Sequence, residues 1–436
     1  MKPENNKLYD LAVVGGGPAG TTVAALMVGK GHEVLLLEKE KHPRFHIGES
    51  LLPMNLEIFD ALGISDQVAG MGVKKLGADF TSENRAGVYQ TFLFSRSLGS
   101  SPEYAYEVRR SEFDRVLFEN ARNKGVDCME ATRVSSVERQ PDGTFSLGAS
   151  DQNGQSLSFR ARYVVDASGR DCLLSGRNGW KTKNPRHTSA ALFGHFKNVP
   201  RRPGENQGNI SIYWFKHGWI WMIPLSGDVM SVGAVANPAY LKARDTDPAQ
   251  FLMQTIALCR DAQLRMKNAV QDGEVRATGN YSYLSRDIGE DGYLLIGDAY
   301  AFVDPVFSSG VYLAMSSAMR AQVPIEAWLA GNKADYRKLK RRYRGQVDHA
   351  IRTFSWFIYR FTSPAMRNLF NEPHDLLGVE RGVISMLAGD VYANPAVMRR
   401  LRIFKVIYAI AWLLDKAGIK GATSRPHRKN GSAGPA

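Results

Sequence analysis

Apolar residues come in short unbroken runs near the start of the chain and at helical spacing towards its end. The stretch Leu8–Val14 is apolar apart from Asp10 and stops at Gly15. Its length and the β-branched pair Val13 and Val14 predict a strand buried on both faces of a parallel sheet. Residues 19–30 predict a helix with Ala24 and Ala25 towards that sheet and Gly31 at its end. Residues 33–38 predict a second strand. Strand, glycine turn, helix, strand is the opening unit of a dinucleotide-binding fold.

The same pattern returns later. Residues 110–124 carry Phe113, Val116 and Leu117 at helical spacing, and 131–163 alternate as a meander with turns at 141–143 and 153–154. Residues 162–167 and 293–296 predict two more buried strands. Between them, 185–285 is mostly strand-like with one helix near 247–268, and 309–330 and then 333–420 are helical in pattern. The expected fold class is therefore α/β, a Rossmann-type fold with an inserted β-rich region and a helical C-terminal region. The expected organisation is a discontinuous dinucleotide-binding domain over 1–180 and 286–330, a β-rich substrate region over 181–285, helices over 331–420 and a disordered tail over 421–436. The apolar stretch 406–414 is too short to cross a bilayer; an interfacial amphipathic helix is one reading of it and a core helix the default, so membrane association is not expected.

Composition changes this picture little. Hydrophobic residues at 44% and charged residues at 23% are ordinary for a globular chain. Three scattered cysteines exclude a disulfide framework and, with His42 and His46 unmatched by further ligands, make a metal site unexpected. The polar start lacks the apolar core of a signal peptide, and a cytoplasmic location is expected. Charge is the one asymmetry: residues 331–436 hold 20 of the 56 Lys and Arg but 7 of the 43 Asp and Glu, so the whole excess of +13 lies there. A basic face of this kind suits an acidic protein, an anionic membrane or nucleic acid, and equally reads as a solvated helical surface with a basic tail; nucleic acid is not expected.

The candidate chemistry begins at Gly15-Gly16-Gly17-Pro18-Ala19-Gly20, a G-x-G-x-x-G turn. Gly15 permits the tight turn, Gly17 lets the backbone approach a pyrophosphate, Gly20 lets the helix pack on the sheet, and Ala19 lies in the first helical turn where phosphates bind. Glu38, 18 residues after Gly20, suits ribose hydroxyls.

Two later segments, Val164-Val165-Asp166-Ala167-Ser168-Gly169 and Leu295-Ile296-Gly297-Asp298-Ala299, resemble the downstream motifs of FAD-dependent oxidoreductases of the aromatic hydroxylase type. The resemblance implies FAD, with Asp298 at its ribityl–phosphate part and Arg110, Ser50, Pro305 and Gly310 around it.

Three further segments resemble flavin-dependent halogenases of the phenol and pyrrole branch. Trp219-Ile220-Trp221-Met222-Ile223-Pro224 fits W-x-W-x-I-P, and residues 302–310 fit F-x-x-P-x-x-S-x-G. Lys75 lies in a K-x-G-A context downstream of Gly48-Glu49-Ser50-Leu51-Leu52-Pro53. By this resemblance Trp219, Trp221, Ile223, Pro224 and Phe302 line the passage between flavin and substrate. Ser309 and Gly310 hold chloride or bromide, and Lys75 delivers the halogen; Lys74, its neighbour, is the other candidate. The resemblance implies a two-component enzyme: a separate flavin reductase supplies reduced FAD, and an electron-rich aromatic substrate, free or bound to a carrier protein, is halogenated. The G-E-S and Gly-Asp segments are also shared by monooxygenases and geranylgeranyl-reductase-like enzymes, and a non-catalytic FAD-binding interaction partner is a third reading. If the substrate arrives on an acidic carrier, Arg341, Arg342 and Arg344 are the expected docking residues.

Overall fold

The structure is a computed structural model that describes residues 7–81, 87–99, 101–279, 282–392 and 394–418. The expected tail over 421–436 lies outside the described residues.

Strand β1 (Leu8–Val14) turns through glycines into α1 (Pro18–Val28) and β2 (Val34–Leu37). Helices α2 (Asn55–Leu62) and α3 (Ser65–Met71) follow, then β3 (Val73–Lys75), β4 (Gly77–Thr81), β5 (Tyr89–Leu93) and β6 (Ala105–Glu107). Next come α4 (Arg110–Asn123), β7 (Asp127–Met129) and the meander β8 (Arg133–Arg139), β9 (Phe145–Ser150) and β10 (Ser156–Asp166). Beyond α5 (Leu173–Arg177) run β11 (Lys181–Lys183), β12 (Ala190–Lys197), β13 (Ile210–Phe215), β14 (Gly218–Leu225) and β15 (Val229–Ala236). Helices α6 (Pro238–Lys242), α7 (Pro248–Ala257) and α8 (Arg260–Arg265) precede β16 (Val270–Thr278), β17 (Tyr283–Ser285), β18 (Tyr293–Leu295) and β19 (Ala301–Phe302). The chain continues as α9 (Ser309–Leu329), α10 (Lys333–Ile358), α11 (Pro364–Asn371), α12 (Val379–Ala388) and α13 (Pro395–Lys416).

Two sheets organise these elements. The first runs β7-β2-β1-β10-β9-β8, with β18 also on β10. Strands β7, β2, β1, β10 and β18 pair in parallel, as doubly buried apolar runs require, and β8 and β9 are antiparallel. The second sheet runs β16-β12-β15-β14-β13-β4-β5 and is antiparallel except where β13 meets β4. It draws strands from 77–93 as well as from 190–278, a long-range pairing that no local pattern announces.

Two apolar clusters result. One surrounds the first sheet and reaches the face of β14 that carries Trp219, Trp221 and Ile223. The other, with Ile220, Met222, Phe251 and Leu252, lies on the opposite face, under α7. The period of two in a strand sends neighbouring residues to different cores.

Two expectations need correcting. The single helix near 247–268 is two, because Cys259 adopts extended backbone (φ −119°, ψ 108°) between them. The stretch 406–414 is core on one face only. Val397, Leu401, Phe404 and Tyr408 form the buried face of α13, while Val406, Ile410, Trp412 and Leu413 are exposed. The helix runs past the body it packs on, so apolar content alone did not place it inside.

Candidate active site

A cavity of about 600 Å³ lies between the two sheets. Its floor is the glycine turn: Gly15, Gly17, Pro18 and Ala19 line it, with Glu38 at the end of β2. Helix α1 carries Pro at its first position, and its first-turn N–H groups have no intrahelical acceptor, so they are available to an anion. Gly15 has φ +108°, and a Cβ there would meet the Ala167 carbonyl oxygen at 2.3 Å. A Cβ on Gly20 would lie 1.9 Å from the Gly15 oxygen. At Gly17 the nearest atom is Arg44 Nη2 at 3.7 Å, so space is kept open there for something other than protein. Gly20 itself does not line the cavity; it only lets α1 pack. Glu38 accepts the Gly16 N–H (2.7 Å) and the Glu40 N–H (2.9 Å), which fixes its carboxylate at the cavity edge.

The walls come from distant segments. Arg110, at the start of α4, grips Asp114 through Nε (2.8 Å) and Nη2 (3.0 Å) and donates to the Ile47 carbonyl (2.8 Å). Burial alone would raise the Asp114 carboxyl, but Arg110 and Arg44 outweigh it and hold it below its ordinary range. His46, also on the wall, is lowered to about 4 by burial and by Arg110, so it is neutral at pH 7. Asp298 follows β18 on a short turn and faces the cavity. Burial pushes its carboxyl up to about 6, with Arg110 and Arg170 opposing. Asp166, at the end of β10, holds the adjoining turn by accepting the Ser168 (2.9 Å) and Leu174 (2.7 Å) N–H groups.

The roof is β14 and the loop before α9. Trp219, Trp221 and Ile223 face the cavity, with Phe302, Pro305, Ser308 and Gly310 beside them. The two indoles lie 5.8 Å apart, and Trp221 Nε1 donates to Ser231 Oγ (3.2 Å). Pro224 and Ser309 are buried but do not line the cavity: Pro224 is out of phase with the tryptophans, and Ser308, in left-handed conformation (φ 55°), takes the exposed place.

Lys75 and Lys74 separate cleanly. Lys74 is exposed, over the Tyr104 ring at 4.4 Å. Lys75 is buried behind the wall, donating from Nζ to Ser50 Oγ (2.7 Å) and to the Leu51 carbonyl (3.1 Å). Ser50 itself lines the cavity. Lys75 Nζ is 3.9 Å from the Glu107 carboxylate. Burial lowers the Lys75 pKa, Glu107 opposing, and burial pushes Glu107 up to about 7.

Sequence reasoning passed over several residues. Glu49, inside the G-E-S segment, lines the cavity and contacts His195 Nε2 at 2.9 Å. Asp304 holds the 302–310 loop by accepting the Val306 N–H (3.1 Å) and the Ser189 hydroxyl (2.9 Å) and by contacting His187 Nε2 (2.8 Å). Gly233 on β15 faces Trp221, and a Cβ there would fall 2.3 Å from the indole. Both Glu49 and Asp304 sit inside motifs that were legible; His195, His187 and Gly233 become relevant only through sheet pairing.

A glycine-lined, open-cradled cavity under a parallel sheet defines a dinucleotide-binding flavoprotein, and residues 9–344 match the FAD binding domain family, to which the chain belongs. The chain is 28% identical over 427 residues to the 1H-pyrrole-2-carbonyl-(peptidyl-carrier protein) chlorinase of Pseudomonas fluorescens, covering 92% of this chain and 94% of that one. It is 32% identical over 369 residues to the flavin-dependent halogenase gsfI of Penicillium aethiopicum, covering 78% and 68%. The solved structure of the myxobacterial chondrochloren halogenase CndH matches with a TM-score of 0.74 at 32% identity, over 95% of this chain and 93% of that one. A flavoprotein/dehydrogenase from Cytophaga hutchinsonii matches with a TM-score of 0.86 at 29% identity, over 94% and 100%. The chain is a member of the flavin-dependent halogenases, FAD-dependent oxidoreductases that use halide.

Proposed function

We propose that the chain halogenates a phenolic or pyrrolic ring and that Lys75 hands over the halogen. The observation that carries this reading is the buried Lys75 amine, one hydroxyl behind the cavity wall at Ser50, with Lys74 turned to solvent. When bound, reduced FAD with oxygen supplies the oxidising power that converts chloride or bromide to hypohalous acid; a separate flavin reductase provides the reduced form.

The protein's own groups do the rest. The glycine turn, Glu38, Arg110 and Asp298 hold the cofactor. Backbone N–H groups at the start of α9, around Ser309 and Gly310, hold the halide, because a helix N-terminus attracts anions weakly enough to release them. Trp219, Trp221, Ile223 and Phe302 form an apolar wall that keeps the substrate ring from the flavin. Neutral Lys75 attacks the halogen of hypohalous acid: the N–halogen bond forms, the O–halogen bond breaks, and the amine proton leaves with the oxygen as water. The N–halogen bond then breaks as the halogen passes to the ring, and the proton that the ring loses restores the Lys75 amine. Burial, which disfavours the ammonium form, favours this role; an arginine could not take it.

The relative in Pseudomonas fluorescens is named for a substrate carried on a peptidyl-carrier protein. The basic excess of 331–436 suits such a carrier here. On α10, Arg341 and Arg342 are exposed, whereas Arg344 is engaged with Asp287 (3.2 Å) and the Arg286 carbonyl (2.8 Å), so docking falls to the first two.

The test is turnover with a flavin reductase, NADH, bromide or chloride, and phenols and pyrroles offered free and on a carrier, read by mass spectrometry. Lys75→Ala is expected to keep flavin reoxidation and lose halogenated product, and Lys74→Ala to keep both. Hydroxylated product, or full halogenation by Lys75→Ala, would overturn the proposal.

A further inference from the structure

Helix α13 has two different outer halves. On its outward stripe Arg399 and Arg402 come first, and Val406, Ile410 and Leu413 follow at the spacing of one helix face. The three aliphatic side chains are 59%, 54% and 59% exposed, and Trp412 beside them is 42% exposed. Tyr408 is the last buried side chain of the helix. Beyond it the helix continues through Lys416, whose Nζ lies 5.8 Å from the Trp412 ring. Asp415 is the single acidic residue of α13, against Arg399, Arg400, Arg402, Lys405 and Lys416. The sequence that follows adds Lys420, Arg425, Arg428 and Lys429.

We infer that the outer face of α13 is a docking surface for an anionic lipid bilayer, on which the helix lies parallel to the membrane plane. An aliphatic stripe with a tryptophan, cations on the polar flank and low net hydrophobicity is the composition of an interfacial helix. No helix among the described residues is long and apolar enough to cross a membrane, so the contact is peripheral.

Two other occupants fit less well. A second copy would set its Arg399 and Arg402 against the same cations if packed parallel, and against the aliphatic half of the stripe if packed antiparallel. An acidic protein would meet a single convex ridge that offers much less than the about 800 Å² per partner of a stable complex. A bilayer accepts a convex ridge and supplies a continuous anionic surface that the cations of α13, with Asp415 its single acid, complement. The inference is independent of the halogenase reading: it would stand for any activity carried by the cavity.

The experiment uses the full chain and sedimentation with phosphatidylcholine vesicles, with and without phosphatidylglycerol, at low and high salt. Binding is expected only with phosphatidylglycerol and weakens as salt rises. Ile410→Asp with Leu413→Asp is expected to weaken it about tenfold or more, as loss of two inserted side chains requires. Arg399→Glu with Arg402→Glu is expected to weaken it similarly, while Arg341→Glu leaves it unchanged. All these positions are solvent-exposed, and an unchanged thermal melt and unchanged flavin reoxidation show that the variants fold. Absence of binding to phosphatidylglycerol vesicles, or binding indifferent to both double variants, overturns the inference. So does a dimer in light scattering that the Ile410 and Leu413 changes dissociate while vesicle binding is absent.

Discussion

At Gly15, Gly17 and Gly20 a single missing carbon serves two purposes. Gly15 and Gly20 are needed by the protein, because a Cβ at either would strike backbone at 2.3 and 1.9 Å. At Gly17 a Cβ would meet nothing nearer than 3.7 Å, so the protein itself does not require that glycine, and on the proposed function the ligand does. Gly17→Val is therefore expected to give folded, colourless protein, whereas Gly20→Ala should fail to fold; circular dichroism and flavin absorbance distinguish the two. Asp298 makes a pH prediction. Its carboxyl is raised to about 6 in the folded chain, so folding favours its protonated form. That contribution is fully present below the unfolded value near 4 and is lost as pH rises through about 6, where the buried charge costs about 3 kcal/mol. In cofactor-free protein, Asp298→Asn is expected to raise stability at pH 8 by up to that amount and to make little difference at pH 4, in denaturant melts. If Asp298 meets the cofactor, the same variant binds FAD more weakly. The motifs around both residues were legible because glycine and acidic spacing is a local signal. The Glu49 contact with His195, and the Glu107 carboxylate beside Lys75, were not, since each joins segments that only the folded sheets bring together.

At the scale of the element, β14 shows why strand phase matters. Trp219 and Trp221 face the cavity while Ile220 and Met222 enter the other core, so one strand serves both. The W-x-W-x-I-P pattern announced this alternation, although it also suggested Pro224, which belongs to the other phase. The indole of Trp221 has room only because Gly233 lies across from it on β15. Gly233→Ala is expected to lower stability by about 1–3 kcal/mol, the usual penalty for overpacking, measured as a shift in urea midpoint. If Trp221 screens substrate from flavin, its displacement also changes the substrate range while flavin reoxidation persists. Helices were read less well than strands. Helical spacing found α4 and α9 closely, but it merged α7 with α8, and it placed the end of α13 in a core that covers only one face of it. Apolar periodicity reports that a face wants covering and says nothing of what covers it.

At the scale of the whole molecule, the cavity is walled by residues from the start of the chain, from α4, from β14 and from α9. A cofactor bound there joins both sheets. FAD is therefore expected to raise the melting temperature of one cooperative transition rather than of the first sheet alone, stabilising the fold by about 4 kcal/mol when its concentration is a thousand times Kd. Protein and flavin fluorescence followed in the same melt check this, and two separated transitions would contradict it. The parallel strands β1, β2, β10 and β18 of the first sheet could be read individually from the sequence, whereas β7, three residues long, was not. The recruitment of β4 and β5 into the second sheet could not, because a parallel pairing between 78–80 and 210–212 leaves no mark on either segment alone.

The place of β18 has a consequence in time. It completes the first sheet against Val164, Val165 and Asp166 of β10, yet it begins only at Tyr293. While the intervening chain emerges from the ribosome, that edge of β10 stands with open backbone groups, and the Asp298 side of the cavity does not exist. Such an edge invites pairing with other chains. The cavity is thus completed only once the chain beyond β18 has been made, and in the interval between β10 and β18 the 164–166 edge of β10 lacks its partner.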